Sequence, residues 1–296
     1  MERRALVTGA TGFIGANLVN RLVEEGWTVH VIVRPSSNLK RLNGAATVHE
    51  YDGTLKCMFS VFSRALPDYV FHLSSLFVSE HRGSDIEPLM SSNLIFGTNL
   101  LEAMKEFDIK NLVNTGTSWQ HYRGKLYSPV NLYAATKQAF EAIIEYYVET
   151  SSLNVITLKL FDTYGPDDPR RKLISLLFEA SLTGKQLEMS LGEQMLDLVY
   201  VDDVVGGYIC AAKMLDEGQI DGHMDFGLTS GDPIRLRDLL KRIEYVIGRK
   251  LVVNFGARPY RDREVMVPWR PTRLLPGWVA KTALDDGLRM TFVENQ

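Results

Sequence analysis

Tyr133 and Lys137 stand four residues apart in Tyr133-Ala134-Ala135-Thr136-Lys137, and on a helix that spacing brings two side chains to one face. A phenol with an ordinary pKa of about 10 exchanges its proton sluggishly at neutral pH, and a neighbouring ammonium draws that value toward the working range. The pair is suited to proton transfer at a reacting oxygen, with an exposed i,i+4 pair as the alternative on spacing alone. Upstream, the hydroxyl-rich run Thr115-Gly116-Thr117-Ser118 follows a short apolar segment. Near the start of the chain, Thr8-Gly9-Ala10-Thr11-Gly12-Phe13-Ile14-Gly15 spaces three glycines three apart. Such glycines permit a tight strand-to-helix turn, close approach of backbone N–H groups to a pyrophosphate, and close packing of helix on sheet. Gly9, Thr11, Gly12, Phe13, Ile14 and Gly15 therefore form a candidate dinucleotide loop, and Lys137 is placed to hydrogen-bond a nicotinamide ribose.

The elements that must position these groups alternate in a βα rhythm. Apolar runs at 5–7, 28–33, 48–51, 69–73, 111–114 and 154–160 predict strands, and amphipathic stretches at 14–25, 88–107 and 132–150 predict helices. Gly26 ends the first helix. Five or six parallel strands are expected, in an α/β fold with a doubly wound parallel Rossmann sheet. After Phe161 the rhythm breaks at Tyr164-Gly165-Pro166-Asp167-Asp168-Pro169, and a smaller, mixed substrate-binding lobe is expected from there. The expected division is 1–161 for the cofactor and 162–296 mainly for substrate. A helix at 201–215 and a run at 224–226 are placed to rejoin the first lobe, over about 201–227. A cleft between the lobes is where a ligand belongs.

Where the second strand ends, a carboxylate would accept the ribose 2′-hydroxyl of NAD. The chain instead reads Val33-Arg34-Pro35-Ser36-Ser37. A guanidinium and hydroxyls suit a 2′-phosphate, so Arg34 and Ser37 point to NADP(H) rather than NAD(H). A solvated Arg34 at a strand end is the alternative. Asp52, with Gly53 beside it, is placed to bond the adenine amino group, or is simply an acidic turn residue.

Composition narrows the partners. The 33 basic and 36 acidic residues give a net charge of −3 without blocks of one sign, which argues against nucleic acid and for a small ligand. Cys57 and Cys210 lack ligand-like spacing and are read as core thiols of a cytoplasmic protein. The six histidines lack metal-site spacing, and His72 is read as a packed strand residue near the cofactor. No apolar run approaches a membrane span, and neither a signal peptide nor an anchor is expected.

The ordered series of motifs resembles the extended short-chain dehydrogenase/reductase family, also described as the NAD-dependent epimerase/dehydratase family. It comprises the glycine loop, Phe71-His72-Leu73-Ser74-Ser75, Asn93 with Gly97-Thr98-Asn99-Leu100-Leu101-Glu102-Ala103, the Tyr133/Lys137 pair, Tyr164-Gly165-Pro166, and Asp197-Leu198-Val199-Tyr200-Val201-Asp202-Asp203-Val204. The resemblance implies that Leu73, Ser74, Ser75 and Asn93 help hold the cofactor. It also implies that Thr117 holds the substrate carbonyl, with Ser118 as the alternative hydroxyl, and that two subunits pair through the helices near 88–107 and 132–150. A 4,6-dehydratase of the family carries an Asp-Glu pair after the catalytic threonine. Here Ser118-Trp119 follows, so dehydration is not expected.

The segment Asn254-Phe255-Gly256-Ala257-Arg258-Pro259-Tyr260-Arg261-Asp262-Arg263-Glu264-Val265-Met266 is similar to that of the CDP-abequose and CDP-paratose synthases, which reduce a 4-keto group on a CDP-3,6-dideoxyhexulose. A generic loop in which Arg261 or Arg263 binds a pyrophosphate is the alternative. Arg170, Arg171 and Lys172 are read as a solvated helix face, with contact to a phosphate as the alternative, while Trp119, His121 and Tyr122 are candidates for shaping a sugar pocket, with Trp119 equally placed as a core residue. The expected activity is NADPH-dependent reduction of a nucleotide-linked 4-ketosugar. The alternatives are a sugar-nucleotide 4-epimerase with retained cofactor, a reductase of a non-nucleotide ketone, and a non-catalytic cofactor-binding protein.

Overall fold

The computed structural model describes residues 3–170 and 172–292. Its centre is a seven-stranded sheet, and all its pairings are parallel. The chain builds it as β1 (Arg4–Thr8), α1 (Phe13–Glu24), β2 (Thr28–Val33), β3 (Thr47–Glu50), α2 (Leu55–Ala65) and β4 (Tyr69–His72). There follow α3 (Ile86–Met90), continued through a π-helical stretch (Ser91–Ile95) into α4 (Phe96–Glu106), then β5 (Asn111–Thr117), α5 (Leu132–Thr150) and β6 (Asn154–Leu160). The strands read as apolar runs rather than alternating ones because both faces of the sheet are covered. On one face α1 and α7 (Val201–Asp216) pack Leu18, Leu22, Val205 and Tyr208 onto it, and on the other α2, α4 and α5 contribute Phe62, Leu100 and Phe140.

Beyond β6 the chain forms β7 (Asp162–Tyr164), α6 (Leu173–Thr183), β8 (Leu187–Met189), β9 (Met195–Leu196) and β10 (Leu198–Tyr200) before α7. Then come β11 (His223–Leu228), β12 (Ile234–Arg235), α8 (Leu236–Ile247), β13 (Val253–Phe255) and α9 (Leu284–Phe292). The pairs β7–β10, β8–β13 and β9–β12 are small two-stranded sheets, and with α6, α8 and α9 they enclose a third core around Leu177, Leu239 and Phe292. β11 is the strand that brings the main sheet to seven, pairing with β6 from His223↔Val155 to Leu228↔Leu160. The expected count of five or six falls short of seven because β11 lies beyond a long excursion, although the run at 224–226 within it is the one placed to rejoin the first lobe, and it pairs with β6.

Polar ties join the late segments to the sheet. Asp203 on α7 accepts the backbone N–H groups of Lys281 and Thr282, and Asp197 accepts from Thr229 Oγ1 and the N–H of Ser230. Among the described residues no helix is long and apolar enough to cross a membrane. Cys57 and Cys210 are half-buried rather than core, each turning its Sγ to a backbone carbonyl, of Glu50 and Pro276 respectively.

The strand order β3-β2-β1-β4-β5-β6-β11 reverses direction between β1 and β4. In an open α/β sheet a crevice opens at that reversal, beyond the carboxyl ends of the strands. The ends of β1, β4 and β5 therefore deliver the glycine loop, the 73–77 loop and Thr117 to one place.

Candidate active site

The glycine loop is shaped by contacts that only glycine permits. Gly9 has φ +69°, and a Cβ there would stand 2.7 Å from the Leu73 carbonyl carbon and the Ser74 nitrogen. A Cβ on Gly15 would stand 2.1 Å from the Gly9 carbonyl oxygen. Gly12 caps the start of α1 without a side-chain hydrogen bond, and no acidic side chain occupies the first turn. The free N–H groups of a helix start, with its positive dipole end, are an anion site. Gly9, Gly12, Phe13, Ile14 and Gly15 line a cleft of about 430 Å³. Glycine backbone lining the cleft at a helix start without a side-chain cap fits a dinucleotide pyrophosphate.

The same cleft is also lined by Leu73, Ser75, Thr117, Ser118, Trp119 and Tyr133. Thr117 ends β5, where its backbone N–H donates to Gln120 Oε1 at 3.0 Å and its Oγ1 accepts the Trp119 N–H at 3.3 Å. Tyr133 lies in the first turn of α5, whose cap is Asn131, its side chain accepting the Ala134 N–H at 2.9 Å. Lys137 is buried one turn on, its Nζ 6.0 Å from the centre of the Tyr133 ring. Burial pushes the Tyr133 phenol above its ordinary value, against the Ser75 hydroxyl and the charge of Arg170. The lowering expected from Lys137 is not seen; the opposing pull comes from Ser75 and Arg170. Burial pushes the Lys137 ammonium itself down to about 8, with Glu141 pulling it up and Lys159 pressing it further down.

A second cavity of about 370 Å³ adjoins the first and shares Phe77, Ser118, Trp119, Phe161, Asp162 and Lys172 with it. Its remaining walls include His121, Tyr122, Arg261 and Trp269. His121 stacks on Trp269 with ring centroids 4.0 Å apart. Arg261 lies over the Trp119 ring at 5.5 Å, with its charge engaged by Glu264 at 2.9 Å. Arg263 stands outside both cavities, over the Tyr122 ring, and bonds Ser128 Oγ at 2.9 Å.

Several expected cofactor residues lie off the cleft wall. Asn93 is buried with its amide spent on the Leu76 backbone and on Thr136 Oγ1, so it holds the 73–77 loop in place. Ser74 donates its N–H to Thr8 Oγ1, and Thr11 is half-buried beside the loop. Arg34, Ser37, Asp52 and Gly53 gather past the ends of the adjacent strands β2 and β3. Arg34 and Ser37 form a turn in which the Arg34 N–H bonds Ser37 Oγ, and among the described residues nothing engages the exposed guanidinium. The Asp52 carboxylate accepts from the Thr54 N–H and hydroxyl, which hold it below the ordinary carboxylate range.

Arg170 and Lys172 are not a solvated face. Arg170 lies over the Phe13 ring at 4.6 Å, clamps Asp168 at 2.7 Å and lines the first cleft, while Lys172 lies over Phe77 and lines both cavities. Arg170 is held there by Asp168 and by the Thr163 carbonyl, which accepts from its Nη2 at 3.0 Å. Arg171 lies outside the described residues. Asp162, which the motifs did not single out, stands where the cavities meet; burial raises its carboxyl above the ordinary range, against the pull of Lys172. Its only signal was its place two residues past the end of β6. His72 is packed as expected, with Nδ1 2.9 Å from Thr8 Oγ1.

Comparison with known proteins fits this geometry. A model of the NAD dependent epimerase/dehydratase family matches residues 5–227. The chain is 27% identical to a CDP-abequose synthase of Salmonella muenchen, over 98% of this chain and 97% of that one. It is equally identical, at 27%, to a UDP-glucose 4-epimerase of Mycolicibacterium smegmatis, over 97% of each. The crystal structure of a UDP-glucose 4-epimerase from Thermotoga maritima with UDP-glucose superposes with a TM-score of 0.86, at 25% identity and 97% coverage of both chains.

Proposed function

Because the chain belongs to the NAD dependent epimerase/dehydratase family, we propose that it is a sugar-nucleotide 4-ketoreductase, using NADPH to reduce the 4-keto group of a nucleotide-linked deoxy- or dideoxyhexulose of the CDP type. The observation that carries this reading is the single cleft lined both by Thr117, Ser118 and Tyr133 and by the start of α1, which has no side-chain cap, and adjoining the second cavity through Ser118. In this reading residues 1–161, with about 201–227, serve the cofactor, and 162–296 mainly serve the sugar nucleotide.

The bound cofactor supplies the hydride that reaches the ketone carbon. Tyr133 donates the proton to the ketone oxygen, and its burial keeps the phenol protonated at neutral pH, ready to act as an acid. Thr117 Oγ1 already accepts the Trp119 N–H, which leaves its own hydrogen to donate to the same oxygen. Lys137 is cationic below about pH 8 and supplies positive charge as the proton leaves. Gly9, Gly12, Phe13, Ile14 and Gly15 hold the pyrophosphate, with Thr11, Leu73, Ser74, Ser75 and Asn93 supporting the loops. Asp52 and Gly53 border the adenine side. The free guanidinium of Arg34, with Ser37, receives the 2′-phosphate. The aromatic wall of Trp119, Phe161 and Trp269 suits a sugar that lacks hydroxyls, and Arg261 on the same cavity serves the nucleotide end, while Arg263 stands outside it over Tyr122.

A second reading, a 4-epimerase with retained NAD, is favoured by the full-length similarity to UDP-glucose 4-epimerases. Similarity over nearly the whole chain to CDP-abequose synthase, together with the free Arg34, supports the reductase. We place the enzyme in the cytoplasm as a homodimer paired through α4 and α5. The test is NADPH oxidation across a panel of CDP-, dTDP-, UDP- and GDP-linked 4-ketosugars. Turnover with one series supports the proposal, and no NADPH consumption with any of them refutes it.

A further inference from the structure

Behind the wall that carries Thr117, the protein buries a pair of opposite charges. Lys159 on β6 is 1% exposed and directs Nζ to both carboxylate oxygens of Glu141, at 2.7 and 2.6 Å. Glu141 is itself 6% exposed and lies one helical turn beyond Lys137 on α5. Its Oε1 also accepts from Gln120 Nε2 at 3.0 Å, and Gln120 Oε1 accepts the backbone N–H of Thr117 at 3.0 Å. An unbroken chain of hydrogen bonds thus runs from β6, next to the edge strand β11, to Thr117 on the cleft wall.

Burying two ions costs several kcal/mol apiece, and well-packed apolar side chains of similar volume commonly do as well or better for stability. Stability alone therefore gives this pair no reason to be ionic, or to be tied through an amide to Thr117. We propose that Glu141, Lys159 and Gln120 are positioning residues of the reaction: Gln120 fixes the peptide of Thr117, and the Glu141–Lys159 pair sets the charge of Lys137. This rests on Tyr133, Lys137 and Thr117 acting as described above.

The groups that face Lys137 are few. Glu141 and Tyr133 share its helix, Lys159 faces it from β6, and His72 faces it from β4, held neutral by burial at a pKa of about 3. Glu141 draws the ammonium up and Lys159 presses it down, from a value of about 8 that burial dominates. Removing either partner leaves the other as an unbalanced buried charge beside Lys137, so the two removals have opposite signs.

The test is the pH profile of kcat for NADPH-dependent reduction. Glu141→Gln moves the alkaline limb to lower pH and Lys159→Met moves it to higher pH, each by about one unit. Lys159→Arg, which keeps the ion pair, leaves the limb where it is. Gln120→Met leaves every charge in place, so it lowers kcat by roughly tenfold with the limb and the KM for NADPH unchanged. A limb that stays fixed, or that moves the same way in both charged variants, overturns the proposal. Circular dichroism and NADPH binding identify which variants are folded. If neither charged variant folds, an unaltered kcat in Gln120→Met overturns it. Failure of the underlying reading is separate, since it appears as full turnover in Tyr133→Phe, whereas an inactive Tyr133→Phe with unmoved limbs sinks this inference alone.

Discussion

Gly9→Ala should both destabilise the protein and weaken its cofactor, by amounts the geometry sets. The new Cβ would stand 2.7 Å from two backbone atoms, of Leu73 and Ser74, and backbone cannot rotate aside as a side chain can. Holding an alanine at φ +69° costs about 1–2 kcal/mol, and prising the β1–β4 crevice open adds about 1–3 kcal/mol. The sum is roughly 2–5 kcal/mol, a large share of the roughly 5–15 kcal/mol by which a domain is stable. Two controls separate the terms. Gly26 has φ +80° with nothing within 4 Å of a Cβ, so Gly26→Ala bears only the conformational cost. Gly44 has neither the positive φ nor a neighbour within 4 Å, so Gly44→Ala should be neutral. Urea unfolding of the three variants should rank Gly9→Ala least stable, then Gly26→Ala, then Gly44→Ala. Fluorescence titration with NADPH should show weaker binding in Gly9→Ala alone, because only there does the cleft wall move. Gly9→Ala matching Gly26→Ala in both measurements would refute the account of the crevice.

Arg34→Ala should weaken NADPH relative to NADH by roughly 1.5–3 kcal/mol, the loss of a charge-assisted contact, and equal losses for both cofactors in calorimetric titration would remove Arg34 from the 2′-phosphate. Tyr133→Phe should leave NADPH affinity near wild type and abolish most turnover, so steady-state rates close to wild type would show that another group is the acid. His72 has its pKa depressed to about 3 by burial, while an unfolded histidine titrates near 6.5. The unfolded chain therefore binds the proton first, and stability present above about pH 6.5 is lost as the pH falls toward 3. His72→Asn should flatten that part of the stability profile in urea melts, and an unchanged slope would show that other groups carry the acid sensitivity.

What spacing could reveal and what it could not divide along physical lines. The glycine loop was legible because its glycines lie three apart in one short turn, and the demand at Gly15 is local, met by the Gly9 carbonyl; the demand at Gly9 comes from Leu73 and Ser74, just past β4, and no spacing shows it. Tyr133 and Lys137 were legible because four residues on a helix is a local relation. Glu141 and Lys159 are 18 positions apart and meet only because α5 packs across β6, which no periodicity encodes. Arg170 and Lys172 were misjudged for a related reason: charges after a Gly-Pro turn ordinarily face water, and here the turn folds them over Phe13 and Phe77. The seventh strand showed as a run at 224–226 placed to rejoin the first lobe, but it escaped the strand count because its partner β6 lies more than sixty residues upstream. Asn93 shows a third kind of gap, in which a motif is visible but its work is not: its amide pins the Leu76 backbone and stands off the cleft wall.

The most direct test of the central claim follows a hydrogen atom. Protein stripped of cofactor is given NADPH labelled at the nicotinamide 4-position together with a nucleotide-linked 4-ketosugar, and the product sugar is analysed by mass and position of label. A reductase consumes NADPH one for one and places the label on the carbon that carried the ketone. Product formed without net NADPH oxidation, or carrying hydrogen from the sugar alone, would contradict the reductase and establish the epimerase in its place.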